Sequence, residues 1–102
     1  MNNVAILLHP SDNVATALRD LKAGDSVVVQ LGEVTYSVIL REDIAFGHKY
    51  ALRDIDAGEV VLKYGLPIGQ ALEDIRAGAW VHVHNCRSEH FGFRHETYGI
   101  HA

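Results

Sequence analysis

Apolar and polar residues alternate most clearly through residues 34–40, where Val34, Tyr36, Val38 and Leu40 fall on one side and Thr35, Ser37 and Ile39 on the other. That alternation marks a strand with one buried face. With the valine-rich run Ser26–Leu31, set off by Gly32, it predicts a β-hairpin with arms 26–31 and 33–40. Residues 4–8 form a short apolar run that predicts a buried strand ending at His9 and Pro10, since proline removes a ladder donor. Residues 60–64 and 80–85 predict two more strands. Ser11, Asp12 and Asn13 are N-cap candidates ahead of a helix running from Val14 to about Lys22, with Gly24 as its stop. A role as ligands in a site is the alternative for Asp12 and Asn13. Gly65 and Gly69 bracket Pro67 and predict a rigid loop that allows close backbone approach.

A second pattern overlies the first. The frame Ala-Leu-Arg/Glu-Asp-Leu/Ile-x-Ala-Gly begins at Ala17, Ala51 and Ala71, and each copy is followed by a valine at Val27, Val61 or Val81. Its apolar positions lie along one side of a short helical turn, and its glycine suits a left-handed cap before a strand. Each frame therefore reads as a helical turn, a cap and a strand. The unequal intervals between copies argue against a solenoid. Asp20, Asp54 and Asp74 need no catalytic role: solvation or a local backbone hydrogen bond accounts for them.

At 102 residues, with 48% apolar and 22% charged positions, the chain predicts one soluble domain over residues 1–86 and a C-terminal tail or partner-docking arm over residues 87–102. No apolar run approaches the length of a membrane span, and the N-terminus lacks a secretory signal. The net charge of −4 argues against nucleic acid, although a local basic pocket remains compatible with it. Cys86 is the one cysteine, so no intrachain disulfide forms, and a reducing cytoplasm is expected. An inert thiol is the plain reading of Cys86.

Candidate chemistry sits in the residues that the frames leave over. His48 and Lys49 stand immediately before the second frame, where a helix start would make an anion-friendly corner, and a surface pair is the alternative. Lys63 precedes the glycine loop, an order that excludes a Walker motif. In a strand, His82 and His84 share a face. They make either half of a divalent-metal site or a pair of acid/base groups beside an anionic ligand, with Asn85 next to them.

At these residues the chain resembles a known family, the small SAF-type domain of β-clip fold at the N-terminus of altronate and galactarate dehydratases. The same module occurs as the separate small subunit of sulfolactate sulfo-lyase. The stretches that carry the resemblance are HPSDNVATA from His9, GHKYA from Gly47, KYGLPIG from Lys63 and VHVHN from Val81. The resemblance implies a mainly β, compact β-clip domain with short helical turns. It also implies a role in eliminating water or sulfite from a hydroxylated carboxylic acid, in a complex with a larger catalytic subunit and a divalent metal, iron or manganese. Carried over by position, His48, His82 and His84 become catalytic candidates, Lys49, Lys63 and Asn85 substrate-binding candidates, and His82 and His84 candidate metal ligands. A non-catalytic module that binds an anionic small molecule or a regulatory partner is the competing reading.

Overall fold

The computed structural model describes residues 3–88, and among them there are nine strands and no helix. In chain order they are β1 (Ala5–Ile6), β2 (Val14–Ala17), β3 (Ser26–Leu31), β4 (Val34–Ile39), β5 (Lys49–Ala51), β6 (Val60–Lys63), β7 (Leu66–Ala71), β8 (Trp80–Val81) and β9 (Cys86–Ser88). A central sheet runs β1-β2-β5-β8, β3 and β4 form the expected hairpin, and β6-β7-β9 make a third sheet. All the pairings between strands are antiparallel. The mainly β expectation is met; its short helical turns are not found, and no described helix is long and apolar enough to cross a membrane. The expected tail begins inside the fold, because Arg87 and Ser88 belong to β9, and its remainder, 89–102, lies outside the described residues.

The central sheet separates two cores. Alternate residues of the same strands feed opposite sides, as the pleat requires. Val14, Ala51 and Val81 enter one core with Ile55, Val61 and Ile75, while Ala15, Ala17, Tyr50 and Leu52 enter the other with Leu21, Val27, Val29 and Ile44. This explains why the helix expected over residues 14–22 is absent. β2 lies between β1 and β5 and is buried on both faces, so it lacks the polar alternation that announces a strand.

Asp12 and Asn13 cap nothing. Both are buried and bind the third sheet: Asn13 Nδ2 donates to the Val60 carbonyl, and Asn13 Oδ1 accepts from the Leu62 N–H. The Asp12 carboxylate accepts the N–H groups of Tyr64 and Gly65 at 3.0 and 2.8 Å. Those two residues form a tight hairpin turn, with φ of 59° and 74°, between Lys63 and Leu66. The expected rigid loop is thus a β-turn followed by strand β7. The close approach expected there does occur, since a Cβ on Gly69 would lie 2.6 Å from the Arg87 carbonyl oxygen of β9.

The frames are bends and β-turns rather than helical turns. In each, the glycine takes a left-handed φ of 88–92° as the third residue of a four-residue turn, closed at 3.0, 2.9 and 3.0 Å by Asp25, Glu59 and Ala79 N–H groups. A fourth copy, from Leu40 to Gly47, completes two pairs. Leu21 bridges Ile44, and Ile55 bridges Ile75. Across each pair the aspartates exchange caps: Asp20 accepts from Phe46 N–H, Asp43 from Ala23, Asp54 from Ala77 and Asp74 from Ala57, at 2.8–2.9 Å. The aspartates are structural, as expected, but their bonds are long-range rather than local.

Candidate functional site

The site lies where β8, an edge strand of the central sheet, meets β5. Their register sets Lys49 opposite Val81 and Tyr50 opposite Trp80. The strand expected through residue 85 stops at Val81, and residues 82–85 turn back. Asn85 makes that turn: its Oδ1 accepts the His82 N–H at 2.9 Å, its Nδ2 donates to the Trp80 carbonyl at 2.8 Å, and its side chain is buried. Two side-chain bonds to its own turn account for Asn85 structurally. The short alternation that suggested a strand lacked the ladder partners to continue one.

The turn does not align His82 and His84 on a strand face; it gathers them around Trp80. The His82 ring stacks on the indole with centroids 5.0 Å apart, and the His84 ring lies 4.9 Å away, tilted. His48 closes the group, 5.1 Å from His82 and 5.6 Å from Trp80, and its Nδ1 accepts the indole N–H at 3.0 Å. Trp80 is the residue that sequence reasoning passed over. The available signal was that the one tryptophan of the chain stands two positions before His82.

Two recesses flank this array. An open groove of about 350 Å³ runs beside His48 and Trp80, with Asp20, Lys22 and Asp43 from the first frame pair among its other walls. A small cleft of about 40 Å³ is lined by Lys49, His82, Cys86 and Ser88 with Ile68 and Val83. Leu21 and Ile44 at the groove belong to one core, and Ile68 and Cys86 at the cleft pack on the other, so the site straddles the edge of the central sheet.

The electrostatics are cationic on a chain of net charge −4. Burial, and then the nearby Lys63, lower the Lys49 pKa below the usual amine value, while Cys86 pulls it the other way. Burial, with His48, Lys49 and His84, lowers that of His82. The ion pairs among the described residues are Lys22–Asp43, Arg53–Glu59 and Arg76–Asp54, so neither Lys49 nor Lys63 pairs with a carboxylate there. Lys63 Nζ stands 5.5 Å from the Tyr64 ring centre. The structure thus brings His48, Lys49, His82 and His84 together, with Lys63 in electrostatic reach of Lys49 and Asn85 beneath them as a clip.

A resident metal does not fit these residues by themselves. Among the described residues no group of three or more His, Cys, Asp or Glu side chains is placed to hold one, and His48 Nδ1 is occupied by Trp80. His82 and His84 offer two ligands, short of the usual three or four.

Residues 3–89 match the altronate/galactarate dehydratase SAF domain. The chain belongs to that family. This SAF domain is 55% identical over 83 residues to altronate dehydratase of Escherichia coli and 41% identical over 83 residues to that of Bacillus subtilis. Each match covers 81% of this chain but 16% of the relative, so the chain spans a small part of those proteins. It is also 30% identical over 91 residues to (2R)-sulfolactate sulfo-lyase subunit alpha of Chromohalobacter salexigens, covering 85% of this chain and 97% of that subunit.

Proposed function

We propose that this SAF domain is the small subunit of a two-component lyase that eliminates water, or sulfite, from a hydroxylated carboxylic acid such as a sugar acid or sulfolactate. The larger partner chain supplies the rest of the active site. The observation that carries this reading is the basic edge itself: two lysines without carboxylate partners among the described residues, and three imidazoles, assembled around one strand end of a chain of net charge −4. Similarity along nearly the whole length of a lyase alpha subunit supports it.

Elimination requires removal of a proton next to a carboxylate, stabilisation of the developing enediolate and assistance to the leaving group. Lys49 and Lys63 bind the carboxylate. Lys49 is suited to this because a half-desolvated ammonium attracts an anion more strongly than a solvated one. His82, whose charged form is disfavoured first by burial and then by the neighbouring His48, Lys49 and His84, is the base, and His48 and His84 complete the polar wall. The divalent metal implied by the resemblance, iron or manganese, belongs on this reading to the larger chain, and no step here depends on it.

The test is co-purification with a larger subunit and assay of the pair on hydroxy and sulfo acids. Replacing both His82 and His84 with alanine leaves the turn intact, because Asn85 fastens it through the backbone of Trp80 and His82. The variant is expected to fold and to lower the activity of the pair by roughly 100-fold or more. Full activity in that variant rejects the assignment. A chain that binds the acids alone while no pair turns them over would make it a binding module instead.

A further inference from the structure

Trp80 holds the site together in a way that the lyase reading does not use. Its indole N–H donates to His48 Nδ1 at 3.0 Å, its ring meets His82 and His84, and its carbonyl accepts from Asn85. Its backbone N–H donates to Glu42 Oε2 at 2.9 Å, which anchors the residue to the bend before β5. Among the described residues, Trp80 is the hydrogen-bond partner of the His48 side chain.

The chemistry of that bond has one consequence. An indole nitrogen only donates, so His48 Nδ1 must present its lone pair. A neutral imidazole carries one proton, and with Nδ1 unprotonated that proton resides on Nε2. The other tautomer would set two N–H groups against each other across 3.0 Å. His48 therefore has no acceptor to spare: Nδ1 is engaged and Nε2 carries a hydrogen.

We propose that Trp80 is a positioning residue whose indole N–H fixes His48 in the Nε2–H tautomer, making His48 a hydrogen-bond donor to an anionic oxygen of the substrate rather than a base. This rests on the lyase reading for the identity of the substrate, and it divides the imidazoles between roles. His48 donates from beside the open groove, and proton removal falls to His82 beside Lys49. The charged groups around His48 are Lys49, the next residue and the first of β5, Asp20, Lys22 and Asp43 lining the groove, and Glu42 behind Trp80. Asp20 and Asp43 accept backbone N–H groups, and among the described residues neither hydrogen-bonds His48, whose ring is oriented by Trp80.

Nuclear magnetic resonance on the full chain, labelled with nitrogen-15, tests the tautomer without partner or substrate. At a pH where the rings are neutral, His48 is expected to show a protonated Nε2 and a lone-pair Nδ1. A coupling across the hydrogen bond should link that Nδ1 to the indole nitrogen of Trp80, the one tryptophan of the chain. A protonated Nδ1, or no coupling, overturns the proposal. In Trp80→Phe, which keeps an aromatic ring and removes the donor, both His48 nitrogens should move toward the average of two tautomers. The kcat of the reconstituted pair should fall roughly three- to tenfold, the value of one neutral hydrogen bond, with little change in KM. An unchanged kcat overturns the positioning role.

Should the phenylalanine variant fail to fold, His48→Gln and His48→Ala decide the matter. A glutamine amide both accepts from the indole and donates onward, so it should retain clearly more activity than alanine, whereas a base could not be replaced this way. Equal loss in the two variants overturns the donor assignment. A wild-type pair that is inactive on every acid removes the lyase reading instead, and the spectra still decide the tautomer on their own.

Discussion

Lys49 is half-buried at the start of β5, with Lys63 in electrostatic reach and no carboxylate paired to it among the described residues. Its pKa lies below the 10.5 of an unperturbed lysine, chiefly through burial. Between that lowered value and 10.5 the unfolded chain binds more protons at this position than the folded one, so folding stability rises with pH across the window. Below the window the penalty is present in full. Lys49→Met should therefore unfold at a higher urea concentration than the wild type at pH 7, with the gap closing as the pH approaches 10.5. A gap that is absent, or that is independent of pH, would contradict this origin of the shift. An amine held at a cost to stability is what a binding site requires. The types and positions of His48, Lys49, Lys63, His82, His84 and Asn85 were legible in the sequence as chemistry left over from the repeat. The bond between Trp80 and His48 was not, because it joins residues 32 apart and depends on how β5 and β8 register.

Among the elements, the frame shows how far a local pattern carries. Its alanine and its Leu/Ile positions are buried in all three copies, as the amphipathic reading required. The leucine after the alanine is not uniform: Leu52 is 3% exposed, whereas Leu18 and Leu72 are 41% and 49% exposed. A helical turn would have buried all three alike. Leu52→Ala should cost about 3 kcal/mol of unfolding free energy, the typical range for a buried leucine. Leu72→Ala should cost under about 1 kcal/mol. Equal losses in denaturant titrations would show that the frames act as identical units. The fourth copy is hard to read as a repeat because Leu40 and Phe46 replace its alanines, although Asp43, Ile44 and Gly47 keep the frame. The frames fold as bends and turns because each is completed by another frame, through paired Leu/Ile bridges and exchanged aspartate caps, and no single copy contains that partner.

At the scale of the molecule, one sheet serves two cores, and Asp12 and Asn13 tie the third sheet to it through buried side chains. Neither core can lose the central sheet and survive, so unfolding should be a single transition. Trp80 packs against one core and reports locally, while far-ultraviolet circular dichroism reports on all strands. The two urea midpoints should coincide, and an earlier fluorescence transition would mean that the cores unfold separately. The sequence by itself determined the mainly β character, the β3–β4 hairpin, the left-handed glycines and the residue types of the site. Alternation, turn chemistry and ionisable side chains are all local properties. Only the tertiary structure decided that residues 14–17 are a strand, that the frames pair, and that the histidines collect around Trp80 instead of lining a strand face. A strand buried on both faces has no period to read, and hydrogen bonds between distant segments leave no trace in the spacing of either one.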